Sequence, residues 1–243
     1  VVNGDDGSMA VYSILVGQSV IAPSRFVTDG DFISVSVEVA DVYVIVKRTI
    51  PESNTVKYML EKFDSNLTLD SSISQTNITP GLPVYSINMD HLREIGHGDG
   101  KTVSIIRDGV VEPDQIVPQS AATITFASPA TSSYQVGLNY TVTARTMPAE
   151  PVLASGSVQG FKKRIIQVDA IVNNTQAMTI NNKQISFRNF GEDVLDSAVQ
   201  PFTGIKTVHG LLGYSGTGQI TITQTVPLKM IVLGLEYRLS VGN

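Results

Sequence analysis

The sequence predicts an all-β protein of antiparallel strands, because its apolar runs alternate with polar residues at a period of two. In Phe32–Val39, the odd-numbered apolar residues from Ile33 share one face, and Ser34, Ser36 and Glu38 share the other. A further run, Gln219–Thr223, reads Gln-Ile-Thr-Ile-Thr. Short turn segments separate such runs. We therefore expect propeller-blade-like antiparallel sheets with an inserted small β barrel or sandwich.

Residues 1–64 are predicted to form a propeller-blade-like β meander, because five apolar runs follow one another with short turns between them. The acidic residues of the turns, such as Asp29 before Gly30, are interpreted as turn formers rather than as metal ligands. The predicted strands are Met9–Val16, Val20–Val27, Phe32–Val39, Val42–Lys47 and Val56–Phe63.

Residues 65–83 are predicted to form a surface loop or a domain boundary, since Ser, Thr, Asn and Pro dominate this segment and large apolar residues are few. Residues 84–146 are predicted to form a small β barrel or sandwich with a hairpin turn at Asp108–Gly109. Met89–Ile95 predicts one or two helical turns. The predicted strands of this unit are Thr102–Arg107, Thr123–Phe126 and Tyr134–Arg145.

Residues 147–160 are predicted to form a linker, because Pro148, Pro151 and Gly156 interrupt the segment. Residues 161–243 are predicted to form a C-terminal β unit that pairs with the first segment, residues 1–64. Its Asn181–Asn182 pair predicts a hairpin turn, and Met230–Leu239 predicts a central strand that is covered on both faces near Val232. In the long strand that opens the unit, the residues expected to share one face are Ile166, Val168, Ala170 and Val172.

The composition limits the classes of function. The net charge of -5 argues against a general electrostatic grip on nucleic acid, which needs clustered Lys and Arg side chains. The absence of Cys excludes disulfides, thiolate nucleophiles and cysteine-based zinc sites. The longest apolar run, Met230–Leu235, is too short for a membrane helix, so we expect no membrane association. Because the chain begins with Val1, we expect a fragment of a longer protein.

No residue pattern predicts a catalytic, cofactor-binding or metal site, so we expect a protein that is not an enzyme and needs no cofactor. The three histidines, His91, His97 and His209, lie in no recognisable catalytic motif. His97 lies among glycines, as is typical of a solvated turn. Gly210–Gly218 is rich in glycine but lacks the Gly-Lys-Ser/Thr ending of a phosphate-binding loop.

A non-catalytic carbohydrate- or protein-binding β module is the alternative interpretation. Carbohydrate-binding modules usually expose aromatic platforms, and this chain has no Trp and only 7% aromatic residues. Carbohydrate-binding sites that use Tyr rings as the platform are compatible with this composition.

A series of short motifs occurs in a consistent order along the chain. Those near the C-terminus are Phe187–Asp196, Pro201–Lys206, Gly213–Ser215, Gln219–Gln224 and Pro227–Met230. Those upstream are Asp6–Tyr12, Thr28–Val35, Met89–Leu92, Gly100–Val103 and Val136–Tyr140. This ordered series resembles the tail nozzle family of short-tailed bacteriophages, which is also called tail tubular protein B or packaged-DNA stabilisation protein.

The resemblance implies a structural component of the virion tail: a nozzle or hub subunit that continues the DNA channel, retains packaged DNA and conducts it at ejection. It implies that the full-length protein forms a homo-oligomeric ring and contacts other tail and portal-adaptor proteins. The DNA passes through such a channel without sequence-specific binding. The role is mechanical, so the resemblance implies no catalytic residue.

Candidate assembly contacts lie in the C-terminal unit. A charge run at the start of a strand can contact phosphate or an acidic partner, although most such runs are only solvated. The candidates are Phe161, Lys162, Lys163, Arg164 and Phe202. The loops Asn66–Pro83 and Gly210–Gly218 are further candidates because loops carry many contacts between proteins.

Overall fold

The computed structural model is all-β with antiparallel sheets in the part of the chain that it describes, which confirms the prediction of an all-β protein. The described residues are 1–18, 20–51, 53–94, 96, 98–153, 156–188, 197–211 and 213–242. They contain twenty strands and two 3-10 turns, Val16–Gln18 and Asp90–Leu92. The second turn lies in the segment predicted to be helical, of which Ile95 is outside the described residues. All the described sheets are open.

The strands alternate with turns along the whole chain. In the first half they are β1 Met9–Leu15, β2 Val20–Phe26, β3 Asp31–Glu38, β4 Asp41–Thr49, β5 Val56–Lys62, β6 Asp70–Thr76, β7 Val84–Asn88, β8 Thr102–Arg107, β9 Val110–Ile116, β10 Thr123–Ala130 and β11 Ser133–Leu138. In the second half they are β12 Val142–Arg145, β13 Val152–Leu153, β14 Gly156–Ser157, β15 Lys162–Thr175, β16 Met178–Ile180, β17 Lys183–Ile185, β18 Phe202–His209, β19 Thr221–Gln224 and β20 Val232–Gly242.

The chain forms two compact units, Val1–Tyr140 and Thr141–Asn243, and these differ from the predicted boundaries. The predicted loop 65–83 contains β6, which pairs with β11; β6 is so rich in Ser and Thr that it lacks the apolar alternation of a strand. The predicted unit 84–146 ends too late, because β12 pairs with β19. The predicted linker 147–160 contains the antiparallel pair β13–β14.

The first unit has two hydrophobic clusters. The smaller cluster lies between the β1–β2 hairpin and the three-stranded meander β3–β4–β5, and its buried residues are Met9, Phe32, Val44 and Val46. The larger cluster lies between the four-stranded sheet β6–β11–β8–β9 and the β7–β10 pair, with Ile105, Ile124 and Val136 among its fully buried residues. The five strands predicted in residues 1–64 are all present.

The β3 strand differs from its predicted alternation at both ends. A bulge between Phe32 and Ser34 removes Ile33 from the ladder, so Phe32 is the buried residue and Ile33 is exposed. Such a bulge inserts one extra residue and shifts the side-chain alternation by one. At the other end, Val39 has φ 56 and is fully exposed in the turn before β4.

The Arg48 guanidinium lies at the centre of the first unit, where its side chain is completely buried. Its Nη2 atom lies 2.9 Å from Glu61 Oε2 and 3.1 Å from Asp70 Oδ1, and Nη1 donates to the Asp29 carbonyl at 2.8 Å. Burial alone lowers the pKa of Arg48, but the hydrogen bonds and charges of Glu61 and Asp70 outweigh burial and raise it. The cation therefore joins β4 and β5 to β6.

Asp108 joins two hairpins of the first unit. With Gly109 it forms the predicted turn, with left-handed φ values of 49 and 79, as a type I′ turn requires. Its carboxylate accepts hydrogen bonds from the backbone N–H groups of Thr131, Ser132 and Ser133. Burial raises the pKa of Asp108, but these backbone hydrogen bonds outweigh burial and hold the pKa well below its ordinary value.

The second unit has one core between two sheets. The three-stranded sheet is β18–β15–β20, and the four-stranded sheet is β12–β19–β16–β17. Asn181 and Asn182 form the predicted hairpin turn, with φ values of 45 and 65. Strands of residues 161–242 pair with one another and with β12, whereas the sequence predicted pairing with the first segment. The core includes Ile165, Val168, Val172, Met178, Ile180 and Ile222.

Two predictions about this unit are wrong. Ile166 was expected to share a face with Val168, but a bulge between Ile165 and Gln167 leaves Ile166 exposed and buries Ile165 instead. The segment around Val232 was expected to be central, but β20 lies at the edge of its sheet and β15 is the central strand. A nearly continuous apolar run predicts burial on both faces, whereas Leu233 of β20 is exposed.

Arg48→Met is expected to destabilise the first unit by about 3–5 kcal/mol, because it leaves two largely buried carboxylates without their cation. Urea unfolding of the intact chain, followed by circular dichroism, measures the loss. Arg25→Met is the matched control: Arg25 forms an exposed pair with Asp6, which is worth about 1 kcal/mol or less. Equal effects of the two substitutions would contradict the central role of Arg48.

Asp108→Asn is expected to lower stability at pH 7 by about 1–3 kcal/mol, because the hydrogen bonds lose their charged acceptor. The folded-state pKa of Asp108 is depressed, so its contribution is fully present above the ordinary value of 3.8 and is lost as the pH falls below it. The difference between the two proteins should therefore shrink below about pH 4. Denaturant unfolding at a series of pH values measures this, and a pH-independent difference would contradict it.

Candidate assembly surfaces

The five predicted assembly contacts divide into exposed and structural residues. Phe161 is 39% exposed and Lys162 is also exposed, so both are free to contact a partner. Lys163, in contrast, has a fully buried side chain whose Nζ lies 2.9 Å from Glu150 Oε1 and 3.2 Å from the Gly216 carbonyl. The charge run in the sequence therefore contains one residue that stabilises the second unit from inside.

Arg164 lies on the opposite face of β15 from Lys163 and directly across from Ser240 of β20. It is half-buried, and its Nε atom is buried without a hydrogen-bond partner in the described residues. The buried Nε atom cannot reach another molecule, but part of the half-buried side chain remains accessible to a partner. Arg164 therefore stays a candidate contact.

Phe202 lies far from the other four candidates. In the β-ladder it faces Thr175 at one end of β15, whereas Lys162 faces Gly242 at the other end. The intervening 13 residue steps span roughly 40 Å. Phe202 packs edge-on against Phe187 at 6.2 Å, with Lys206 Nζ 4.3 Å from its ring centre. The five residues therefore do not form one surface.

Both loops that were predicted as contacts, Gly210–Gly218 and Asn66–Pro83, form backbone hydrogen bonds within their own units. Ser215 in the first of them exchanges two backbone hydrogen bonds with Lys163, at 2.7 and 2.8 Å. The other, Asn66–Pro83, contributes β6 to the four-stranded sheet. The other described residues of these two segments stay candidate contacts, and Leu212 lies outside the described residues.

The β1–β2 hairpin exposes an apolar face that the sequence analysis did not single out. In its register Ile14 lies opposite Ile21, and Tyr12 lies opposite Pro23. Ile14, Ile21 and Tyr12 are 62%, 68% and 54% exposed. We call Tyr12, Ile14, Ile21 and Pro23 the hairpin face. The opposite side of the hairpin packs on the smaller hydrophobic cluster through Met9 and Val11, so the hairpin face is the side that stays exposed.

The outer side of the meander exposes a second apolar face. Leu60 lies opposite Ile45, and Tyr58 and Val56 follow on the same side of β5. Leu60 is 74% and Tyr58 is 66% exposed, while Val44 and Val46 on the inner side are buried. We call Ile45, Val56, Tyr58 and Leu60 the meander face. Alternation in the sequence predicts that one side of a strand is covered, but here both sides carry apolar residues.

An open cleft of about 490 Å³ lies in the first unit, lined by Asp29, Asp99, Lys101 and Ile116 among others. Lys101 Nζ lies 2.7 Å from Asp29 Oδ2, and Asp99 Oδ1 accepts a hydrogen bond from the Gln119 N–H at 3.0 Å. Both of these carboxylates and the ammonium group therefore already have partners within the unit. The cleft offers polar groups for binding rather than a free nucleophile or base.

The histidines do not converge in the described residues. His91 Nε2 lies 3.0 Å from the Ser71 carbonyl, which fixes the ring, and His209 is exposed in β18. His97 lies outside the described residues. No group of three or more His, Asp or Glu side chains in the described part could hold a metal ion. No described helix is long and apolar enough to cross a membrane.

Comparison with known proteins adds no family to these observations. No protein-family model matches the chain, and a search of curated proteins finds no match either. Of the motifs that carry the resemblance, Phe187–Asp196 lies largely outside the described residues, since 189–196 are not described. The other motifs lie within them.

Lys163→Ala is expected to lower the stability of the second unit by about 2–3 kcal/mol, because it removes a buried side chain and its hydrogen bonds. Lys162→Ala, at the exposed neighbouring position, is the matched control and should change stability by less than about 0.5 kcal/mol. Thermal unfolding of both variants measures the difference. A Lys163→Ala protein as stable as the control would return Lys163 to the set of surface contacts.

Proposed function

We propose that the chain is a structural component of a bacteriophage tail, a nozzle or hub subunit that continues the DNA channel. In this role it retains packaged DNA and conducts it at ejection, and it resides in the virion. The ordered series of motifs is the observation that carries the proposal. The role is mechanical and needs no catalytic residue or cofactor.

The surfaces of the first unit support this proposal. A ring subunit needs two different faces that contact its neighbours and close by rotation. The hairpin face and the meander face are two separate apolar surfaces on strands of the same unit. Neighbouring apolar residues that are exposed together can mark interaction sites in soluble proteins. We therefore propose a homo-oligomeric ring in the full-length protein, with other tail and portal-adaptor proteins as further partners.

The open antiparallel sheets also suit the finer architecture that the resemblance implies. Successive antiparallel strands such as β3–β4–β5 are the building pattern of propeller blades. The sheets formed by β6 to β11 overlap most of the segment predicted as the inserted barrel or sandwich, residues 84–146, and would be that unit. The chain carries a net charge of -5. An acidic wall repels phosphates, so we propose that DNA passes along it without sequence-specific binding.

A carbohydrate- or protein-binding β module is the second candidate, favoured by the polar cleft around Lys101 and by exposed tyrosines. Tyr58 and Tyr85 are 66% and 63% exposed, and tyrosine rings supply an apolar surface with a polar tip. Binding of the chain to a defined glycan on an array, abolished by Lys101→Ala, would support this candidate. An array without any ligand would argue against a carbohydrate.

Electron microscopy of the complete polypeptide tests the tail proposal directly. We expect rings with a central channel, or incorporation of the protein at the tail of virions. A full-length protein that is strictly monomeric and absent from virions would remove the proposal.

Leu60→Asp is expected to weaken ring formation about tenfold or more, because it places a charge in an apolar contact. The fold should be retained, since Leu60 is exposed in the free chain. Ser120→Asp, at an exposed polar position in the turn between β9 and β10 and outside the meander, is the control with the same added charge. Sedimentation velocity of the complete polypeptide measures the ring fraction, and equal behaviour of the two variants would exclude the meander face from the contact.

A further inference from the structure

The β20 strand presents an unpaired edge in the described part of the chain. It is 11 residues long, which makes it the longest edge strand of the described sheets, and it pairs only with β15. The unpaired N–H and C=O groups of such an edge are a template for another strand. Glu236, Tyr237 and Arg238 at its centre are exposed. The edge is therefore accessible where its charges lie.

The central part of β20 is regular and carries its two charges on one face. A bulge at Leu233 ends the regular part on one side, and Gly234–Ser240 follow without interruption in β20. In the ladder to β15, Glu236 lies opposite Asp169 and Arg238 lies opposite Gln167. Since residues two apart in a strand point to the same side, Glu236 and Arg238 share one face of the sheet.

Neither Glu236 nor Arg238 forms a salt bridge within the described residues of its own chain. The pKa of Asp169 is lowered mainly by its hydrogen bond from Thr207 and further by the charge of Arg238, so Arg238 acts on Asp169 without a direct ion pair. Glu236 lies directly opposite Asp169, and like charges in this position repel. Asp169 already accepts hydrogen bonds from Thr207 Oγ1 and Gln167 Nε2, at 2.5 and 2.7 Å. A cation from outside the chain would therefore be favourable beside Glu236.

A second copy of β20 supplies that cation. When two copies lie antiparallel with their Tyr237 residues opposite each other, Glu236 of each copy faces Arg238 of the other. Leu235 then faces Leu239, and Gly234 faces Ser240. A shift of the register by two residues in one direction places Glu236 opposite Glu236, and a shift in the other direction places Arg238 opposite Arg238. Opposite charges favour only the central register.

We propose that the β20 edge is a homodimer interface, in which two copies pair antiparallel about a two-fold axis at Tyr237 and form a continuous six-stranded sheet. In this register, even-numbered residues pair with even-numbered residues and odd-numbered with odd-numbered ones. Side chains on one face of the first copy therefore continue on the same face of the second copy. A two-fold contact closes with two chains. It is therefore a different contact from those of the proposed ring, does not rest on the tail function, and can fail or hold independently of it.

Charge reversal with rescue tests this interface in the intact chain. Glu236→Arg and Arg238→Glu, each alone, place like charges opposite each other and should weaken dimerisation about tenfold or more. The double variant restores opposite charges with the polarity exchanged and should recover the dimer. Lys229→Glu, an exposed position before β20, is the control, because it changes the net charge by the same amount as Arg238→Glu. Sedimentation equilibrium measures the dissociation constants.

Cross-linking at the axis is a second readout that does not depend on the charges. The chain has no cysteine, so Tyr237→Cys introduces a single thiol, and a short bifunctional thiol reagent should join two copies covalently. Ile205→Cys, an exposed position on β18 at the opposite edge of the same sheet, should give no covalent dimer.

Three results would overturn the proposal. The first is a chain that stays monomeric at the highest concentration at which it remains in solution. The second is a dimer that both single reversals leave unchanged. The third is a dimer that the double variant fails to restore while circular dichroism shows that this variant is folded. Rescue together with cross-linking confined to Tyr237→Cys would support it.

Discussion

The Arg48 guanidinium is the interaction on which the first unit depends. It lies between strands of the meander and contacts Asp70 at the start of β6 and the Asp29 carbonyl in the preceding turn. A buried cation is tolerated only while all of its partners are in place. The position of Arg48 therefore determines where the meander and β6 lie relative to each other, and it explains why no boundary follows residue 64. Lys163 does the same in the second unit, where it holds Glu150 and Gly216 against β15.

Around these buried cations, the sheets are covered unevenly. The inner sides of β4 and β15 are fully packed, whereas the hairpin face, the meander face and the edge of β20 are open. Antiparallel sheets can leave one side toward solvent, but that side is usually polar. Apolar residues on open faces and an unpaired long edge give a chain whose surfaces are suited to contact with other protein chains. The proposed ring and the proposed dimer use different parts of this surface.

Bulges decide which side chains are available on these surfaces. The extra residues Ile33, Ile166 and Leu233 each leave the ladder and become exposed. Each bulge shifts the alternation by one residue, so the apolar positions before and after it reach the same core. A bulge arises from a mismatch in length between two paired strands. Because strand pairing is not visible in one strand's own sequence, the alternation alone assigned Ile166 to the wrong side.

The sequence by itself determined the strands and turns, because these follow from local chemistry. Period-two alternation located β3 and β5, and Asp108–Gly109 and Asn181–Asn182 specified their turns through residues that tolerate left-handed backbone. The tertiary structure decided which strands pair, where the two units divide, and which residues of the predicted contact set are buried. Lys163 and Lys162 are the same residue type in adjacent positions, yet one is buried against Glu150 and the other is exposed. That difference depends on residues distant in the chain, and no local pattern encodes it.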